Sequence, residues 1–497
     1  MTTSGEADAA ADAALRAAEG AFAGFRSAPA ETRARLLEEI AEGLLALGDD
    51  LLATADAETG LGLARLTGER GRTVGQLRLF AAVVREGSWV DARIDTRDAA
   101  RVPPRPDLRR LLVPVGPVVV FAASNFPLAF SVAGGDTASA LAAGCPVVLR
   151  AHPAHPETSK RVGAAVAAAV ARCGLPAGVF SLVVGDGYAL GLALVRHPLA
   201  RAVSFTGSLR GGRALFDAAA ARPEPIPVYA EMGSTNPVFV LAGALAERGA
   251  ALGTALADSA TVGVGQFCTK PGLIFAVDGA GFEAFVGALG ARIGTKAPAR
   301  MLYPELETRF REGTAAVART SGVERLAAAP GDVEGAGRAV AWLVSLEDFL
   351  RAPALGDELF GPSTIVVRVR SVDELVRAAV GLEGQLTATV HAAPAELAAA
   401  APLLATLERK VGRLVFGGVP TGVEVSPAMN HGGPYPASTD ARSTSVGTAA
   451  IHRFARPLCY QDAAAAVLPP ELGDRNVRAL WRLVDGHLTR DDIPGGV

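Results

Sequence analysis

Cysteine, methionine and tryptophan are scarce in this chain, at four, four and three residues among 497. The cysteines (Cys145, Cys173, Cys268 and Cys459) lie far apart, with no CxxC pair and no Cys/His cluster. A disulfide framework or structural zinc is therefore not expected, and reduced thiols in a cytosol are the simpler reading. Charge of one sign is also lacking. The net charge of -3 gives no electrostatic reason to expect nucleic acid or an anionic membrane as partner. Long unbroken apolar runs are missing too: the most apolar stretch, 111–130, carries Pro114, Pro117, Asn125 and Pro127, punctuation that a membrane helix would not tolerate. The first ten residues are polar and acidic, without the basic start and apolar run of a signal peptide, so a cytoplasmic protein is expected.

Half of the residues are apolar and a fifth charged, the balance of a well-packed globular enzyme. The length exceeds one ordinary core and predicts two or three domains. Apolar residues at helical spacing (Leu36, Leu37, Ile40, Leu44, Leu45) predict an amphipathic helix over 31–52, and Gly60 is placed as the C-cap of the next helix. The Pro- and Arg-rich stretch 101–107 reads as a surface arm or connector. Strands are then predicted at 118–122, 147–150, 179–184 and 202–206, separated by helices at 132–143, 159–171 and 190–196 and followed by one at 211–221. Such alternation implies a parallel, doubly wound sheet. A second alternating series, with strands at 237–241, 364–368 and 413–416, implies a second α/β sheet and a cleft between the two.

Three segments carry chemistry. Gly265-Gln266-Phe267-Cys268-Thr269-Lys270 sets a cysteine between a glycine-bearing loop and a strand; Ala230-Glu231-Met232-Gly233 supplies an acid; Ser124-Asn125-Phe126-Pro127 supplies a side-chain amide. Taken singly, each has an ordinary explanation: free cysteine as a small core residue, an acid at a strand end as a solvated or capping group, Asn before Phe-Pro as a turn former. Together they provide a nucleophile, a base and an oxyanion donor.

Over nearly the whole chain these motifs resemble the aldehyde dehydrogenase superfamily. The resemblance implies an aldehyde dehydrogenase-like fold of two doubly wound parallel sheets with a small oligomerisation arm. It divides the chain into a dinucleotide-binding domain (1–232, with an arm near 96–116), a catalytic domain (233–446) and a C-terminal oligomerisation segment (447–497). By the same resemblance Cys268 is the nucleophile, Asn125 the oxyanion donor and Glu231 the base that activates water, with a pKa expected to be raised by partial burial. In Glu358-Leu359-Phe360-Gly361-Pro362, Glu358 holds the nicotinamide ribose and Phe360 packs beside the ring.

The tempting glycine turn Gly185-Asp186-Gly187 has the wrong spacing for a dinucleotide fingerprint. The resemblance instead gives that task to Gly207, Ser208 and Arg210 in the later loop, Gly207 permitting a tight turn and Ser208 bonding the pyrophosphate. Arg150 falls where the family's adenosine-ribose lysine stands, and Pro153 where NAD-preferring members place a glutamate. NADP is therefore expected as cofactor, with NAD tolerated. His152 and His155, each followed by proline, mimic metal-ligand spacing, but no metal is expected.

The runs Gly417–Val425, His431–Pro436 and Asp440–Ile451 resemble the 2-oxoglutarate semialdehyde (2,5-dioxopentanoate) dehydrogenase branch. NADP-dependent long-chain fatty aldehyde dehydrogenases carry similar runs and, with other semialdehyde dehydrogenases, are the alternative. The retained Glu231 argues against a CoA-acylating relative, and the intact chemical positions argue against a non-catalytic homologue. The substrate is expected to be a small aldehyde whose carboxylate wants a cation or several polar donors; Arg442 and Arg453 are candidates, although an arginine in this region is more often a subunit-interface residue, and the protein is expected to be a homodimer or homotetramer.

Overall fold

The computed structural model describes residues 4–185 and 187–494. Asp186, at the middle of the Gly185–Gly187 turn, lies outside the described residues.

Two parallel sheets form the body. The first contains β1 (Val118–Phe121), β2 (Val147–Arg150), β3 (Phe180–Val183), β4 (Ala202–Thr206) and β5 (Val228–Glu231), ordered β3-β2-β1-β4-β5. All four pairings are parallel. Every residue of β1 is buried, as expected of a Val-rich central strand covered on both faces by helices. The intervening helices are Gly135–Ala143, Pro156–Arg172, Tyr188–Arg196 and Leu209–Ala220. Two have starts legible in the sequence: Pro156 opens one, and the Ser208 hydroxyl caps another by accepting from the Gly211 N–H.

The second sheet contains β6 (Val238–Val240), β7 (Leu273–Val277), β8 (Glu324–Ala328), β9 (Val340–Ser345), β10 (Ser363–Val369), β11 (Gln385–His391) and β12 (Val411–Phe416). Its order is β8-β9-β10-β7-β6-β11-β12, parallel except for the antiparallel edge strand β8. Its core stacks Phe239 on Phe275 at 5.2 Å, with Phe349 edge-on to Phe275 at 5.5 Å.

A third, mixed sheet joins Ala455–Gln461, Leu108–Pro114, Arg93–Asp95, Arg482–Val484 and His487–Thr489. The arm and the last fifty residues, remote in sequence, thus form one unit. Strand Leu108–Pro114 alternates buried and half-buried residues, so only one face packs inward.

Several elements differ from expectation. The helix expected over 31–52 is two, Ala30–Ala46 and Gly48–Thr59, because Gly48 takes φ +63° and turns the chain. Gly60 does cap the second, at φ +66° with its N–H on Asp56 O. The resemblance also implies a tail strand near 448–454, but Thr448–Phe454 is 3-10 helix and the strand begins only at Ala455. Among the described residues no helix is long and apolar enough to cross a membrane.

Candidate active site

The carboxyl ends of the first sheet carry most of the expected residues. Asn125 lies just beyond β1, Arg150 ends β2, Gly207 and Ser208 follow β4, and Glu231 ends β5. Ligands of open parallel sheets gather at this edge, beside the central strand where the strand order reverses. Facing it, Cys268 sits in the loop entering β7, and Glu358 and Phe360 precede β10, the neighbour of β7.

The loop that carries Cys268 is held in an unusual shape. Gly263, Val264 and Gly265 have φ values of +57°, +59° and +62°. Two are glycine, but Val264 is β-branched, and such a residue in the left-handed region stores strain that its surroundings must impose. Gly265 has no alternative, since a Cβ there would stand 2.3 Å from Gly361 O. The backbone of the Glu358–Pro362 motif therefore packs directly against the loop.

Side-chain amides supply the clamps. Asn236 Nδ2 donates to Cys268 O at 2.8 Å and Lys270 O at 3.0 Å, and Asn125 Nδ2 donates to Gln266 O at 3.1 Å. The buried Lys270 ammonium donates to Leu359 O at 2.8 Å and Ser363 O at 3.0 Å. Asn125 is itself buried and keeps one amide N–H beyond the bond to Gln266.

The thiol does not stand alone. Cys268 Sγ lies 3.4 Å from His431 Nε2, which lies 2.9 Å from Glu231 Oε1. Sulfur, imidazole nitrogen and carboxylate oxygen all fall within 4.8 Å of one another. The His431–Glu231 approach is not aligned as a hydrogen bond: Glu231 Oε1 and His431 Nδ1 both lack a hydrogen-bond partner. Glu231 Oε2 accepts from Ser445 Oγ at 2.5 Å.

These neighbours overturn the expected pKa of Glu231. Burial alone would raise it, but the His431 imidazole, with Ser445 and Cys268 beside it, holds the carboxyl below its ordinary value. The Cys268 thiol is pushed well above its ordinary value, first by burial and then by the Glu231 charge, with Arg72 opposing. His431 and Ser445 were not assigned by sequence reasoning. Each sat inside a longer run, with only the scarcity of histidine (seven residues) as a signal.

Each expected cofactor residue has a definite place. Arg150 Nη2 donates to Gly187 O at 2.9 Å. Ser208 accepts from the Gly211 N–H at 3.2 Å at the start of helix Leu209–Ala220, and Arg210 is exposed in its first turn. Gly207 serves a different purpose from that expected. Its φ is not left-handed, and the constraint is the Phe205 ring, 2.6 Å from where a Cβ would stand. Burial raises the pKa of Glu358, against the opposing pull of Lys270 and a backbone N–H at Ser234. Phe360 packs with Met301, Leu302, Leu306 and Phe310. A capped helix N-terminus, an arginine at the end of β2 and the half-buried Glu358 carboxyl fit a diphosphate and ribose hydroxyls by their donor and acceptor chemistry.

The remaining candidates do not join the site. His155 is buried, with Nε2 at 2.8 Å from Ala123 O and Nδ1 at 3.1 Å from Ser159 Oγ, so both ring nitrogens are occupied. Arg453 is buried against Asp136 at 2.7 Å and Ser204, while Arg442 is exposed and pairs with Asp440 at 3.2 Å. Among the described residues neither arginine pairs with Cys268, His431 or Glu231; each is already paired with an aspartate.

A thiol, an acid and two α/β sheets define a class, and residues 1–300 match the model of that class, described as the aldehyde dehydrogenase family. The chain belongs to the aldehyde dehydrogenase family. It is 53% identical to alpha-ketoglutaric semialdehyde dehydrogenase 2 of Azospirillum brasilense, over 94% of this chain and 90% of that protein. Identity to alpha-ketoglutaric semialdehyde dehydrogenase of Acinetobacter baylyi is 46%, over 97% of this chain and 91% of that one. Among solved structures, glyceraldehyde-3-phosphate dehydrogenase GapN of Methanocaldococcus jannaschii, complexed with NADP, superposes with a TM-score of 0.78 at 18% identity, covering 91% of this chain and 94% of its own. That likeness establishes the fold.

Proposed function

We propose that this enzyme oxidises 2-oxoglutarate semialdehyde (2,5-dioxopentanoate) to 2-oxoglutarate, with NADP preferred over NAD. The observation that carries the chemistry is the convergence of Cys268, His431 and Glu231 within 4.8 Å. The substrate rests on the names of the two relatives that match nearly the full length.

In the proposed cycle Cys268 sulfur bonds to the aldehyde carbon and its proton passes to His431, the basic nitrogen nearest the sulfur. The free N–H of Asn125 and the Cys268 backbone N–H receive the developing oxyanion; loss of one such donor typically costs about 2.7–4 kcal/mol. A nicotinamide held beside that carbon would supply the hydride acceptor. The acyl group then remains on Cys268 as a thioester. Glu231, kept ionised by its neighbours, draws a proton from water, whose oxygen attacks the thioester and frees the acid and the thiol. Glu358, Ser208 and Arg150 are the residues that would hold the dinucleotide.

NADP preference is supported by Arg150, by exposed Arg210 and by Pro153, which sets no carboxylate against a 2′-phosphate. A homodimer or homotetramer is proposed because edge strand Ala455–Gln461 pairs on one side only. A cytoplasmic location suits a nucleophile that must stay reduced.

The testing experiment compares kcat/KM for 2-oxoglutarate semialdehyde, succinic and glutaric semialdehydes and a long alkanal, with each cofactor. The highest value is expected for 2-oxoglutarate semialdehyde with NADP. A preference for the long alkanal would transfer the assignment to the fatty aldehyde branch.

A further inference from the structure

A substrate with a carboxylate at the end remote from its aldehyde needs a cation near the nucleophile, and Arg442 and Arg453 do not supply it. Two other arginines do. Arg72, on helix Leu63–Glu86, donates from Nη1 to Val423 O at 2.7 Å. Arg413, on β12, donates from Nη2 to Pro420 O at 2.7 Å and from Nη1 to Gly422 O at 3.1 Å. Both guanidinium groups therefore reach the same four-residue stretch of loop from different elements.

Neither is neutralised. Among the described residues no carboxylate forms an ion pair with either side chain, and the Nε of each is buried without a hydrogen-bond partner. The loop they hold adjoins the segment of the nucleophile: Thr421 Oγ1 donates to Thr269 O at 3.4 Å, one residue past Cys268, and Asn430 Nδ2, beside His431, donates to Gly412 O, beside Arg413, at 2.8 Å. Burial lowers the pKa of both, the cost of holding two like charges away from water. An anion between them would offset that cost. Arg72 also lies 5.7 Å from the Phe130 ring, an apolar neighbour for the substrate's methylenes. Arg65 has other employment: it lies between the Phe126 and Phe267 rings at 4.8 Å and 4.6 Å and donates to Asn125 O.

We infer that Arg72 and Arg413 form the subsite for the substrate's remote carboxylate and adjoining 2-oxo oxygen, and so set the enzyme's preference for an anionic aldehyde. The subsite rests on the substrate reading above and adds to it the residues that read the charge.

The test measures the ratio of kcat/KM for 2-oxoglutarate semialdehyde to that for pentanal, which has the same chain length and no charge. In Arg72→Met and Arg413→Met this ratio is expected to fall about 100-fold, the loss of a charge-assisted pair of hydrogen bonds, with partial recovery in Arg72→Lys. A second readout needs no turnover. Glutarate should slow alkylation of Cys268 by iodoacetamide in the cofactor-free protein, and the protection should vanish in both Met variants. An unchanged ratio with glutarate protection intact in the variants would overturn the subsite while leaving the substrate reading standing. A wild-type enzyme that does not favour the charged aldehyde over pentanal would overturn both.

Discussion

His431 Nε2 stands 3.4 Å from Cys268 Sγ and 2.9 Å from Glu231 Oε1, between the nucleophile and the acid. A half-buried thiol beside a carboxylate is poorly disposed to ionise, and in the proposed cycle the imidazole makes this pairing workable. It offers the thiol proton a place to go and offsets the effect of burial on Glu231.

Replacing His431 by Gln should therefore act twice. The first-turnover rate of hydride transfer should fall by about 10²–10⁴-fold, the usual worth of a positioned proton acceptor. The pH profile should also shift. Burial of Glu231 would then be less opposed, so its pKa rises; because Glu231 acts as a base above its pKa, the acid limb of steady-state turnover moves to higher pH. Stopped-flow and steady-state rates across pH check both effects, and an unmoved acid limb would count against this role.

Glu231→Gln should separate the two halves of the reaction. The burst of reduced cofactor persists, while steady-state turnover falls by about 10²–10⁴-fold because water loses its base. Removing the nearby negative charge should also lower the pKa of Cys268, so iodoacetamide should modify the variant faster than the wild type near neutral pH. Slower modification would contradict the electrostatic assignment.

Asn236 has no chemical role in this scheme and is nonetheless predicted to be indispensable. Its amide holds the carbonyls of both Cys268 and Lys270, so Asn236→Ala leaves two acceptors unpaired at the loop. Each should cost about 1–3 kcal/mol, visible as a lowered Tm, and Cys268 alkylation should lose its single-exponential course as the loop takes several positions. A Tm equal to that of the wild type would remove Asn236 from the account.

Pro153→Glu should reverse cofactor choice. A carboxylate placed where a 2′-phosphate must lie should lower kcat/KM for NADP at least tenfold, by roughly the several kcal/mol of like-charge juxtaposition, with little effect on NAD. Equal losses with both cofactors would point to damage in the helix beginning at Pro156.

Local patterning accounts for what could be read early. Val147–Arg150 and Ala202–Thr206 are short β-branched runs between helices, and their bounds match expectation because burial on both faces leaves little latitude. Cys268, Glu231 and Asn125 each lie in a compact motif, and the fold brings them to one edge. What escaped depended on distant partners. His431 gains its role through Cys268 and Glu231, and Ser445 through Glu231, more than two hundred residues away. Likewise Arg72 and Arg413 look like ordinary surface charges until the loop between Pro420 and Val423 closes over them. The break at Gly48 was hidden because the apolar spacing continues across it, while a single left-handed φ redirects the axis.

The most direct test is intact-protein and peptide mass spectrometry of Glu231→Gln mixed with NADP and 2-oxoglutarate semialdehyde, then quenched in acid. The account predicts one acyl group per chain, on the peptide containing Cys268 and absent from the double variant Glu231→Gln/Cys268→Ala. An unmodified Cys268 in protein that has reduced its cofactor, or acylation on exposed Cys459 instead, would contradict it.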